Sequence, residues 1–175
     1  MAQAQQGQGG LASGLERGNV VSPILTIDSD KVFLDSAFGR RVAAELEERG
    51  NELAAENRRI EAALEAEELE LTEMRESSTP EAFRALADAF DAKVQETRAA
   101  QAAKGRAIND ALDREREIFL TAAAPVLERL MRDADAAVIL ERRSVFVSAN
   151  AIDITAEAIA LLNETLGSGQ APKQD

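Results

Sequence analysis

The 175-residue chain contains no histidine, no cysteine, no tryptophan and no tyrosine. Without His or Cys there is no imidazole base, no thiol nucleophile, no disulfide and no Cys/His zinc centre. The lack of cysteine suits oxidising and reducing compartments equally, so it decides nothing about location. Six phenylalanines supply all of the aromatic content, although hydrophobic residues make up 45% of the chain. Alanine therefore carries much of the apolar count. It favours helix and close backbone approach but buries little area, which suits helix-to-helix seams better than a thick globular core. No apolar run approaches the roughly 18 residues of a membrane-spanning helix. No basic stretch leads into an apolar one at the start of the chain, so no signal peptide is visible. Residues 2–10, rich in Gln and Gly, read as the flexible start of a processed form, with Met1 as an added start codon.

Positive charge is also scarce. The net charge is −12, which sets the chain against nucleic acid and anionic membrane surfaces. The imbalance is local: residues 61–95 hold ten carboxylates against Arg75, Arg84 and Lys93, a net of −7.

What the chain does have is two long amphipathic runs, residues 40–76 and 81–134, on either side of the breaker Ser77-Ser78-Thr79-Pro80. Apolar residues recur at helical steps in both. The first seam runs through Leu46, Leu53, Ile60, Leu64, Leu71 and Met74. The second runs through Phe83, Leu86, Phe90, Val94, Ile108, Leu112, Phe119, Val126 and Leu130. Folding at the breaker sets Met74 beside Phe83, Leu71 beside Leu86, Leu64 beside Val94, and Asn57 beside Gln101. Apolar then meets apolar and polar meets polar, so the pattern predicts an antiparallel helical hairpin. A helix of about 37 residues projects about 55 Å, a lever that a small globular domain has no internal use for. Pro125 should kink the second helix near the base.

The flanking segments change period. Residues 24–28 read as a strand after Pro23, and Ser29 or Asp30 is placed to cap a brief helix at 30–34. Residues 137–141 and 144–147 read as two more strands, with Arg142-Arg143 at the turn, and Thr155 is placed to cap a last helix carrying Ile159, Leu162 and Leu166. Three short strands cannot seal a core, and open edges invite partners. The base is therefore the expected site of self-association, through Ile24, Ile27, Val138, Leu140, Val145 and Val147. The expected organisation is a disordered segment 1–22, a β-containing base from 23–38 and 135–166, a hairpin arm 39–134 with its tip near 77–80, and a flexible tail 167–175. The fold class is mainly α with a small β part.

These segments resemble the Skp (OmpH-like) family of periplasmic chaperones of outer-membrane proteins. The likeness rests on the opening strand and short helix, Ile24-Leu25-Thr26-Ile27-Asp28-Ser29-Asp30-Lys31-Val32-Phe33, and on the Ala- and Glu-rich hairpin. It rests most on the closing order Ala137-Val138-Ile139-Leu140-Glu141, Val145-Phe146-Val147 and Asp153-Ile154-Thr155 before the last helix. It spans about residues 23–166. The resemblance implies a periplasmic homotrimer whose strands join in a central barrel. Three arms would hang from it like tentacles, enclosing unfolded outer-membrane proteins without ATP. The sequence agrees on the last point, since it has no Gly-x-x-x-x-Gly-Lys-Ser/Thr phosphate loop. Members are typically basic at the arm tips, whereas this tip is acidic, which argues against lipopolysaccharide contact there.

Weighed residue by residue, Leu46, Leu53, Leu64 and Leu71 are expected to pack the arm itself. Met74, Phe83 and Phe90, near the tip where packing is thinner, either pack the arm in the same way or are the candidate client contacts. Asn57 and Gln101, with Lys104 nearby, are read as setting helix register as polar seam residues do, ahead of the alternative of a mid-arm hinge. Asp28-Ser29-Asp30 lacks the further ligands and glycine turn of a calcium loop, so it is read as a cap and no metal or cofactor is expected. The glutamate pairs lie on solvated faces with no apolar pocket to raise a pKa, so no catalysis is expected. The rival reading is a coiled-coil adaptor or spacer whose hairpin docks one folded partner.

Overall fold

A computed structural model describes residues 22–169. The expected loose terminus at 1–22 and the end of the 167–175 tail lie almost wholly outside the described residues. The order of elements is β1 (Ile24–Ile27), α1 (Ser29–Asp35), α2 (Ala37–Met74), α3 (Pro80–Asp133), β2 (Val138–Glu141) and α4 (Thr155–Leu166). Single 3-10 turns at Arg142–Ser144 and Asn150–Ile152 link β2 to α4. The fold is thus mainly helical with a small sheet, and its two long helices form the hairpin.

The first three helices each start where a side chain accepts from a free amide. The α1 cap is Asp28, whose carboxylate accepts from the Lys31 amide at 3.0 Å, not Ser29 or Asp30. Ser36 alone separates α1 from α2; its hydroxyl accepts from the Gly39 amide at 2.9 Å and donates to the Phe33 carbonyl at 2.7 Å. The corner is so tight that a β-carbon at Gly39 would lie 1.9 Å from that carbonyl oxygen. At the tip, Thr79 caps α3 and Pro80 takes the first helical position, where a missing amide hydrogen costs nothing. From there α3 runs through Pro125 to Asp133 without a break.

Polar contacts fix the hairpin register. Arg41 meets Glu115, Glu56 meets Gln101 and Lys104, and Glu67 meets Lys93. Glu56, not Asn57, is the partner of Gln101; Asn57 lies one residue on, turned about 100° around the helix, and is exposed. At the inner end of the second seam Ala111 is buried and Leu112 exposed. The smaller side chain lets the helices approach, so the seam there is one residue out of phase with the hydrophobic pattern.

The base holds the core. Ile27, Val32, Phe33, Phe38, Val42, Phe119, Ala123, Val126, Ala158 and Leu162 form one buried cluster. Phe119 from α3 lies edge-on to Phe33 at 5.2 Å and against Phe38 at 5.4 Å, tying the root of the arm to the base. Beyond Val42 and before Ala111 neither long helix has a fully buried residue.

The sheet has two parallel strands, Ile24 opposite Val138 through Ile27 opposite Glu141. The free side of β1 is closed by a bridge to Asp153 and by the Ile154 amide, which donates to the Thr26 carbonyl at 2.9 Å. The third strand expected at 144–147 is absent. Arg142–Ser144 instead forms a turn in which the Val145 amide donates to the Arg142 carbonyl at 3.1 Å, and Val145 and Val147 belong to no strand. A β segment needs a neighbour to receive its backbone groups, and the turn carries this one off the β2 edge with none beside it among the described residues.

Candidate functional site

Among the described residues two surfaces lack cover: the outer edge of β2 with the segment that follows it, and the distal half of the arm. At the base, Ile27 points into the core and Val138 is half-buried, while Ile24 is 43% and Leu140 39% exposed. Val145 is half-buried. Val147 is 78% exposed, and Phe146 is as exposed as in an open chain. Of the six expected base residues, the structure places one in the core and brings Ile24, Val138 and Leu140 to the sheet. Phe146 was not singled out by sequence reasoning. Its signal was available: it is one of six aromatics and the one that no helix carries.

Polar side chains hold this exposed segment in place. Asp30 pairs with Arg116 of α3 and with Arg143, and Arg142 pairs with Asp153. Glu141 accepts from the Ser29 amide at 3.2 Å and lies 3.7 Å from the Arg143 guanidinium. Asp153 accepts from both the amide and the hydroxyl of Thr155, and the Thr155 hydroxyl accepts from the Asp28 amide at 3.0 Å. Thr155 thus stitches α4 to the end of β1 and is the first residue of α4, not its cap. Burial would raise the Asp153 pKa, but the hydrogen bonds from Thr155 and the Arg142 charge outweigh it and hold the carboxyl below its ordinary value. Glu141 is lowered in the same way: burial opposes, and Ser29 and Arg143 prevail. At the arm root, Arg41 lies over the Phe38 ring and donates to Glu45, Glu115 and the Ser168 carbonyl. Burial lowers its pKa, the two carboxylates raise it, and the net direction is up.

On the distal arm, Met74 is exposed and Phe83 half-buried under the Arg75 guanidinium, 5.8 Å from the ring centre. Phe90 sits farther down, in a groove between α2 and α3 of about 730 Å³. The three candidate contacts therefore divide between the turn and the groove. Below them Lys104 and Gln101 lower the Glu56 pKa, Lys104 contributing most. Asp28 and Asp30 serve as cap and ion-pair partner. Among the described residues no group of three or more carboxylates is arranged to hold a metal ion, and no helix is long and apolar enough to cross a membrane.

Comparison with known proteins gives a consistent picture. The family model described as outer membrane protein (OmpH-like) matches residues 23–162, well over half of the chain. Among solved structures, the chain is similar to an OmpH-like protein of Caulobacter crescentus CB15, assigned as a candidate outer membrane chaperone. The TM-score is 0.80 at 17% identity, covering 94% of this chain and 98% of that one. Among curated proteins no sequence match was found.

Proposed function

This chain belongs to the OmpH-like family, whose general role is that of a chaperone, and from that premise we propose that it is an ATP-independent holdase for unfolded outer-membrane proteins. In this reading it works in the periplasm as a homotrimer. Copies complete one another's sheets at the base, and three arms enclose a client between them.

One observation carries the reading: among the described residues the sheet stops at an uncovered β2 edge, beside a fully exposed Phe146, at the foot of a 38-residue helix. Uncovered edges and aromatic side chains are costly to leave in water, and a second and third copy supply what one chain lacks. A helix of that length reaches about 57 Å, so three would frame a space wide enough for a collapsed chain. Individual contacts along half-buried seams are weak, but tying three arms to one base raises their effective concentration. Weak contacts also permit release once the client folds into a bilayer. Ile24, Leu140, Val145 and Val147 would meet the neighbouring copy, and Met74, Phe83 and Phe90 the client.

The test is native mass by sedimentation, with and without a urea-diluted β-barrel precursor, together with light scattering of that precursor. A trimer that takes up about one client and suppresses scattering supports the proposal. Phe146→Asp should shift the assembly toward monomer and abolish suppression. A compact monomer at working concentration, or a stoichiometric complex with a folded partner and no effect on aggregation, would favour an adaptor instead.

A further inference from the structure

The distal groove has a chemistry that the proposed function leaves unspecified. Its floor is apolar, made of Ile60 and Leu64 from α2 and Phe90 and Val94 from α3, all half-buried. Its walls carry Glu61, Glu65, Glu68 and Asp91 against a single cation, Arg98. None of these four carboxylates forms an ion pair among the described residues, whereas Lys93 is taken by Glu67. At the basal end the Gln101 amide nitrogen is spent on Glu56, and its carbonyl oxygen is buried with no donor. The floor residues pack the hairpin on one flank and leave the other half-open between the acidic walls.

We infer that this groove docks a basic amphipathic segment of another polypeptide, apolar side chains down and ammonium or guanidinium groups against the carboxylate walls. Charge complementarity selects this occupant. An acidic or neutral segment would strand four carboxylates beside it, whereas a basic one pairs them. The groove spans residues 57–68 of α2, about 17 Å, the length of about eleven helical residues. Two antiparallel helices with an open seam accept a third helix in the manner of other helix-in-groove complexes. As a statement about clients the inference rests on the holdase reading. As a statement about ligand class it does not.

The test titrates three labelled peptides of about a dozen residues into the full-length protein and reads fluorescence anisotropy: a Lys/Leu amphipathic helix, its Glu/Leu counterpart and a Lys/Ser version of equal charge. The Lys/Leu peptide should bind, the Glu/Leu peptide should not, and the Lys/Ser peptide should bind at least tenfold more weakly. Neutralising the walls (Glu61→Gln, Glu65→Gln, Glu68→Gln, Asp91→Asn) should weaken Lys/Leu binding at least tenfold. Neutralising Glu47, Glu48 and Glu52 to Gln, nearer the base, should leave it unchanged. Unaltered affinity in the wall variant, or equal loss in both variants, overturns the inference. A wild-type protein that suppresses precursor aggregation yet ignores the Lys/Leu peptide also overturns it and leaves the holdase standing. Specific peptide binding without suppression upholds the groove's ligand class and overturns the holdase.

Discussion

Replacing Phe119 by Ala should separate the arm from the base energetically. Phe119 is 1% exposed and is the one ring that α3 contributes to the cluster with Phe33 and Phe38. Truncating a buried phenylalanine costs about 3–5 kcal/mol, of which each lost ring pair accounts for about 0.5–1.5 kcal/mol. The cavity would open where β1, α1, α2 and α4 converge, so little can collapse into it, and the upper half of that range applies. Against a typical total of about 5–15 kcal/mol the loss is large. The chain has no tryptophan or tyrosine, so urea unfolding is followed by far-UV circular dichroism, and amide hydrogen exchange locates the change. Exchange should accelerate first in β1, α1 and α4, while Phe119→Leu, which loses both ring pairs but keeps an aliphatic side chain in the site, should cost less, about 1–3 kcal/mol. A loss below about 1 kcal/mol, or exchange that rises evenly along both long helices, would refute the claim that this cluster joins arm to base.

Three further outcomes follow from local geometry. Gly39→Ala should destabilise by about 1–3 kcal/mol despite alanine's better helix propensity, because its β-carbon would strike the Phe33 carbonyl; Gly50→Ala and Gly105→Ala meet nothing within 4 Å and should each stabilise by about 0.5–1 kcal/mol, all read by thermal melts. Asp153 and Glu141 are more acidic in the fold than their ordinary values of 3.8 and 4.5. The stability they lend is therefore complete at neutral pH and declines as pH falls through those values toward the lower folded ones; a pH series of urea midpoints should show the decline, reduced in Asp153→Asn. Glu56→Ala should leave the melting temperature almost unchanged, because the pair it makes with Lys104 is exposed, but should speed amide exchange around Gln101.

The hairpin was legible because helical periodicity is a local property, and the mirrored polar and apolar positions fixed its register. What escaped was phase at the level of one residue. Asn57 and Glu56 are both polar, and only the turn of the helix decides which faces Gln101. Leu112 is the more hydrophobic of its pair, but Ala111 is the side chain small enough for the closest approach. At the base, the segment around Val145 has the β-branched residues of a strand, yet strand geometry depends on a neighbour that no reading of the segment alone supplies. The Asp153–Thr155–Asp28 stitch joins residues more than 120 positions apart, so nothing near either end announces it. The Asp28 cap was one residue from the expected position, the ordinary uncertainty of a helix boundary where three consecutive residues all have capping side chains.

The arm's lack of buried residues connects these observations to function. Two helices packed in a hairpin shield each other on one side only, so each seam side chain keeps an uncovered flank, and between Val42 and Ala111 no residue is fully buried. Adding bulk to the seam would tighten the hairpin but widen the exposed apolar strip, and the arms of neighbouring molecules would then stick together. Carboxylates around the strip oppose that association by like-charge repulsion between arms while leaving the strip open to a partner of opposite sign. Half-burial and acidity are in this sense one device. If the acidity served solubility alone, raising ionic strength would promote self-association and leave the affinity for basic segments unchanged. If it selects partners, salt weakens that affinity as well, and the two effects are separable in one titration.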